Sequence, residues 1–195
     1  MRVFSRHAGL LLLALAAGCS TTQTYPGAWP RVDPTRIEGC PPVTGEYLSD
    51  GVRADPFAAP TSLSELALET PMADAIIRIT QYGADSLALA AWKDGKVRAR
   101  RVFSRARGDL ACAREGVRLS CGWRSFPAVN VLEVSRHTLY LARATEGSLM
   151  VQDVEFYIDF FLLLPFPGMA RSWHRFSPPT FPLLPPPAGE PPIGE

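Results

Sequence analysis

Leu87-Ala-Leu-Ala-Ala-Trp-Lys-Asp-Gly-Lys-Val-Arg-Ala-Arg-Arg-Val-Phe103 decides the fold class of this chain. Two runs suited to strands, Leu87–Trp92 and Val97–Phe103, are separated by Lys93-Asp94-Gly95-Lys96. An Asp-Gly pair between such runs is the strongest local signal for a β-hairpin, because both central residues of the favoured turn need positive φ. The same grammar repeats on either side. Ala75–Thr80 is β-branched, and Leu110–Arg114 and Val117–Cys121 flank Glu115-Gly116. Val129–Val134 is apolar, Thr138–Arg143 and Leu149–Asp153 flank Glu146-Gly147, and Phe156–Leu164 runs into Pro165 and Pro167. Arg171–Phe176 follows as the last strand. Nine or ten short strands at hairpin spacing predict a mainly β domain, an antiparallel meander folded as a barrel or a sandwich. One short helix is expected near 62–69. Ser62 and Glu65 have capping-box spacing, Leu63, Leu66 and Ala67 would face the sheet, and Pro71 stops the helix.

Composition fits one such domain with tails. The chain has 195 residues, 47% hydrophobic and 20% charged, which is one domain of ordinary size rather than two. Lys and Arg number 20 against 19 Asp and Glu, a balance that argues against a dedicated nucleic-acid binder. No apolar run approaches the ~20 residues of a membrane-spanning helix.

The first nineteen residues have another character. Met1–Arg6 carries Arg2 and Arg6 and no acid; Gly9–Ala17 is a short apolar stretch; Gly18 and Cys19 follow. A basic start, a short apolar middle and small residues before a cut site make a secretory signal. Leu15-Ala16-Ala17-Gly18-Cys19 resembles the lipobox of bacterial lipoproteins. The resemblance covers residues 1–19 and implies that Cys19 receives a diacylglycerol, that residues 1–18 are removed as a signal peptide, and that the new amino group is acylated. Burial of acyl chains contributes about 0.8 kcal/mol per CH₂, so two or three chains hold a protein firmly. Ser20 stands where an Asp in enterobacterial lipoproteins favours the inner membrane; the resemblance therefore implies an outer-membrane anchor facing the periplasm. Loss of Arg2 and Arg6 takes the 20 basic residues to 18 against 19 acidic ones, a net charge of −1.

Residues 19–39 hold three Pro and no apolar period, and read as a lipid-anchored flexible tether. The β domain is expected over 40–176. Residues 177–195 contain eight Pro in nineteen positions and read as a disordered Pro-rich tail, able to dock into an aromatic groove. Cys40-Pro-Pro-Val-Thr-Gly-Glu-Tyr47 with Ser49-Asp50-Gly51, and Trp173-His-Arg-Phe176 at the end, loosely resemble uncharacterised small β-rich envelope lipoproteins. That likeness implies a boundary near residue 40 and no activity.

An oxidising compartment favours a disulfide among Cys40, Cys112 and Cys121. The favoured pair is Cys112–Cys121, which stand opposite each other if 115–118 form a four-residue loop. Cys40 with either partner is the alternative. Zinc needs more ligands at closer spacing.

Three further features bear on function. Lys93–Arg107 is strongly basic, and Arg98, Arg100 and Arg101 are the candidates for contact with an anionic membrane surface; the plainer reading is a solvated face. His137 and His174 follow the signal segment. A metal site would need them to converge with a carboxylate such as Glu133 or Asp153, and a triad would need a nucleophilic Ser beside one of them. No Gly-x-Ser-x-Gly elbow or phosphate-binding loop is present, so no catalytic residue, cofactor or metal is expected. Phe156–Phe166 is the most apolar stretch outside the signal segment and reads as core, or as the lining of a calycin-like barrel holding a lipid or other apolar ligand. The expectation is a lipid-anchored, non-catalytic interaction or accessory module with an envelope protein partner; the alternative is the apolar-ligand barrel.

Overall fold

The computed structural model describes residues 20–55, 61–128, 131–161 and 164–180. The expected signal peptide over 1–18, Cys19 and positions 181–195 of the expected tail lie outside the described residues.

The structure is mainly antiparallel β with one short helix α1, Leu63–Leu68. A small four-stranded sheet holds β2 (Gly45–Leu48), β5 (Ile76–Tyr82), β6 (Ser86–Lys93) and β7 (Lys96–Ser104), in the order β2-β5-β6-β7. The large sheet runs β4 (Thr61–Ser62), β3 (Asp50–Arg53), β12 (Leu164–Phe176), β11 (Leu149–Phe161), β10 (Val131–Arg143), β9 (Val117–Ala128), β8 (Leu110–Cys112). A short first strand, β1 (Ser20–Thr22), pairs in parallel with β12. The two sheets share one core as a sandwich, and among the described residues no closed barrel forms.

Local chemistry explains the elements that the sequence predicts. Asp94 and Gly95 both take positive φ, 54° and 71°, so the β6–β7 connection is the expected two-residue turn. The Ser62 side chain caps α1 by accepting from the Glu65 backbone N–H. Leu63, Leu66 and Ala67 are buried under the helix. The helix stops at Glu69, which adopts the left-handed conformation and returns its N–H to Glu65 O.

The core fills the gap between the sheets. Tyr47, Ile77, Ile79, Leu87, Leu89 and Phe103 come from the small sheet and meet Leu119, Leu139, Leu141, Leu149, Val151 and Phe176 of the large one. Among the described residues, the contributions from β9–β12 lie in the halves near Val117, Leu139, Leu149 and Phe176.

Three expectations are corrected here. First, the described parts of the strands predicted at Val129–Val134 and Thr138–Arg143 belong to one continuous β10, Leu149–Asp153 and the predicted Phe156–Leu164 strand as far as Phe161 belong to one β11, and Leu164 begins β12. Pro165 and Pro167 do not end the pairing. They lie inside β12, opposite Phe160 and Ile158, in a part of that strand whose other edge carries no described partner, where a missing N–H costs no ladder bond.

Second, residues 20–39 do not form a free tether. Ser20–Thr22 pairs with Met169–Arg171, the Gln23 N–H donates to Arg171 O, and Tyr25 packs edge-on against Trp173 at 5.0 Å. Further on, the Asp33 N–H donates to Arg143 O and the Arg36 guanidinium donates to Ala113 O and Arg114 O. The far edge of β12 otherwise presents unpaired backbone groups, and a segment with few side-chain constraints satisfies them.

Third, the disulfide joins Cys40 to Cys112, and Cys112–Cys121 does not form. The β8–β9 loop is Ala113–Gly116, two residues earlier than expected, which sets Cys112 opposite Val117. Cys121 stays a buried thiol that donates to Leu66 O at 3.6 Å.

Candidate functional site

Where the large sheet leaves the cover of the small one, its inner face changes from apolar to polar. Register fixes the rows. Leu141, Val151 and His174 are neighbours across β10, β11 and β12; the next row is Leu139, Asp153 and Ser172; the next is His137, Glu155 and Ala170. Side chains alternate along each strand, so these three rows share a face and the polar residues gather at one level.

A bulge helps to present His137. Pairing between β9 and β10 slips between Arg136 and Thr138, leaving Cys121 and Gly122 opposite the single residue His137. Such an insertion twists a strand and re-aims the side chain beside it.

The cluster is built from named contacts. His137 Nδ1 lies 3.0 Å from Asp153 Oδ1, and His137 Nε2 lies 3.3 Å from Glu155 Oε1. An imidazole with a carboxylate at each nitrogen donates to both only as the imidazolium. His137 and Asp153 are both buried. His174 is 1% exposed. Its Nε2 lies 2.8 Å from Ser172 Oγ, its ring stacks on Phe176, and its Nδ1 is buried with no hydrogen-bond partner. Burial pushes the His174 pKa down to about 4, with Asp153 opposing and Arg53 and His137 adding to the shift. His174 is thus held neutral beside the His137–carboxylate group.

These residues line a cleft of about 590 Å³. Its other walls come from Arg53 at the end of β3, Glu65 and Leu66 on α1, and Thr21 and Gln23 of the N-terminal segment. β1 and β3 both pair with the outer edge of β12, one at Met169–Arg171 and one at His174–Arg175, and the cleft opens where they meet.

The sequence candidates fare unequally. His137 and Asp153 come into direct contact, with His174 nearby, as a convergent site requires. Glu133 pairs by backbone with Asp159, further along the sheet. Among the described residues no group of three or more His, Cys, Asp or Glu is arranged to hold a metal ion. Ser172 meets His174 without a carboxylate on Nδ1. The basic run is divided by the pleat of β7. Arg98 and Arg100 are exposed on one face, and Arg98 pairs with Asp94 at 3.4 Å. Arg101 turns the other way, bridges Glu69 at 2.6 Å and lies over the Phe103 ring. Arg53, Glu65, Glu155 and Ser172 were not legible as site residues. Period-two alternation around His137 and Asp153 was the one available signal, and it does not tell which strands are neighbours.

The fold and cleft define a two-sheet antiparallel β sandwich with a buried histidine–carboxylate cluster. No family model, curated protein or solved structure matches the chain.

Proposed function

We propose that this protein is a lipid-anchored envelope lipoprotein, held by acyl chains on Cys19 at the outer membrane, facing the periplasm and acting as a non-catalytic interaction module. The observation that carries the reading is the order of features at the front of the chain: a basic start, a short apolar run, Leu15-Ala16-Ala17-Gly18-Cys19, and then Ser20 already paired with the large sheet. In this reading the anchor leads into the domain with no intervening linker, and acyl chains on Cys19 hold the β12 edge close to the lipid surface. The Cys40–Cys112 disulfide supports it, since such bonds persist in oxidising compartments. The interaction role rests on the cleft. His137 Nδ1 and Nε2 already face Asp153 and Glu155, and His174 Nε2 faces Ser172, so the reading assigns contact with a polar partner group to the charged wall residues Arg53 and Glu65.

Two measurements test the reading. Cells fed radiolabelled palmitate incorporate label into the wild type and not into Cys19→Ser, and Cys19→Ser moves from the membrane to the soluble periplasmic fraction. Equal membrane residence of the two proteins removes the anchor. Crosslinking in native membranes, read by mass spectrometry, then identifies the partner, with crosslinks expected around Arg53 and Glu65 at the mouth of the cleft.

A further inference from the structure

The outer face of the large sheet, turned away from the core and the cleft, carries a separate groove of about 440 Å³. Register fixes its make-up. Arg118, Tyr140, Gln152 and Trp173 are neighbours across β9–β12; the next row is Ser120, Thr138, Val154 and Arg171; the row past the β9 bulge is Trp123, Arg136, Phe156 and Met169. Alternation puts these rows on the face opposite His137, Leu139 and Asp153. Tyr25 packs on Trp173 in the first row, so the N-terminal segment covers one side of this face. The cover stops short of the third row. Trp123 is 55% exposed and Phe156 38%, and the two rings meet edge-on at 6.2 Å.

The lining combines three kinds of group. Arg118 and Arg136 supply charge, and no acid stands among the described residues that line the groove. The β7–β8 connection contributes Gly108 to the wall, and the adjacent Asp109 is engaged by Arg107 at 3.1 Å. Arg136 is exposed, and Arg118 Nε is buried with no hydrogen-bond partner. Arg118 lies opposite Tyr140, four positions along β10 from Arg136, so the two arginines leave the sheet about 14 Å apart. Between them Ser120, Thr138 and Tyr140 present hydroxyls, which both donate and accept. Trp123 and Phe156 add ring surface at the Arg136 end.

We infer that this groove binds an acidic saccharide, a short run of pyranose rings carrying carboxylates. A guanidinium keeps its charge and matches a carboxylate with two parallel N–H donors. The electron-rich face of an exposed aromatic ring takes the C–H face of a sugar, and the three hydroxyls suit a ligand that is itself rich in hydroxyls. The volume is that of a small-ligand site. An extended peptide would recognise a sheet by adding a strand at its edge; β9, β10 and β11 each have a neighbour on both sides, so only side chains are on offer here. The inference uses the outer face alone and does not depend on the anchor at Cys19.

The test is calorimetric titration of the full-length protein, held in a polyoxyethylene detergent, with a tetrasaccharide of alternating glucuronate and N-acetylglucosamine. Binding is expected, and the neutral tetramer of N-acetylglucosamine is expected to bind about tenfold more weakly, since it lacks the charge-assisted bonds. Arg136→Gln is expected to cost about tenfold in affinity for the acidic probe, and Trp123→Ala about fivefold, with Trp123→Phe between Ala and wild type. Arg98→Gln, which changes an exposed arginine on β7 of the small sheet, is expected to leave the affinity within twofold. Circular dichroism confirms that each variant is folded. No binding of the acidic tetrasaccharide at millimolar concentration overturns the inference, as does equal binding of the neutral one. Tetraglutamate binding as tightly as the acidic sugar makes the groove an acidic-peptide surface and overturns it too. Wild-type affinity in both Arg136→Gln and Trp123→Ala places the sugar elsewhere and has the same consequence.

Discussion

Cys40 and Cys112 are joined across 72 residues of sequence, with their Cα atoms 5.1 Å apart. The link ties the segment before β2 to the edge strand β8, and the Arg36 bonds to Ala113 O and Arg114 O lie on the same line of contact. A loop of this length loses much chain entropy when closed in the unfolded state, worth about 4 kcal/mol on the entropic account. Cys40→Ser is expected to lower unfolding free energy by about 2–4 kcal/mol, read as a fall in urea midpoint with a higher m-value, because the unlinked denatured chain exposes more surface. Non-reducing peptide mapping is expected to show Cys40 linked to Cys112, and Cys121 alkylated only after denaturation; a Cys112–Cys121 peptide would contradict the structure.

His174 gives stability a pH dependence of definite sign. Its folded pKa, about 4, lies below the ordinary histidine value of 6.5 because the ring is buried. Between these values the unfolded chain binds a proton that the folded chain refuses, so stability is complete above about pH 6.5 and falls as the pH drops toward 4. The full loss is about 3 kcal/mol. His174→Gln keeps a donor for Ser172 and removes the titration. Urea midpoints between pH 7 and pH 4 are expected to decline less steeply for this variant than for the wild type; parallel curves would refute the assignment.

What the sequence made legible was local. The Asp94-Gly95 turn, the Ser62 cap and the buried face of α1 each depend on neighbours within four residues, and each is found. Longer relationships were hidden for physical reasons. Strand length was misjudged because Ser135, Arg136 and His137 read as a polar break in β10, yet Ser135 and His137 face a polar inner cluster and Arg136 faces solvent. Cysteine pairing depended on a loop register shifted by two residues. The docking of Ser20–Thr22 could not be seen because a parallel pairing is written in backbone hydrogen bonds, which Ser and Thr make as well as any residue. The cleft was half visible: His137 and Asp153 were named, but their meeting depends on β10–β11 register and on the bulge opposite His137.

The His137–Asp153 contact is expected to hold the inner face together. Asp153 is 6% exposed, so His137→Ala leaves its carboxylate buried without that partner. Hydrogen bonds to charged groups contribute about 1.5–3 kcal/mol, and a loss of that size is expected. A double-mutant cycle with Asp153→Ala isolates the pair, with a coupling energy of about 2 kcal/mol expected. Additive single-variant losses would mean that the two side chains act separately.

Gly51 and Phe176 make the tightest test of the packing between β3 and β12. A Cβ on Gly51 would lie 2.3 Å from Cε1 of Phe176, and the Phe176 ring is fully buried. That ring cannot swing into solvent, and it also carries the stacked His174. Gly51→Ala must therefore push β3 away from β12 or force Phe176 from its rotamer, at about 1–3 kcal/mol. Because Arg53 is two residues along β3 and pairs with His174, the displacement also reaches the mouth of the cleft. Calorimetry is expected to show a lower melting temperature for Gly51→Ala, partly restored when Phe176→Leu is added, since the smaller side chain vacates the space the new methyl needs. A Gly51→Ala protein as stable as wild type would show that β3 does not lie against Phe176.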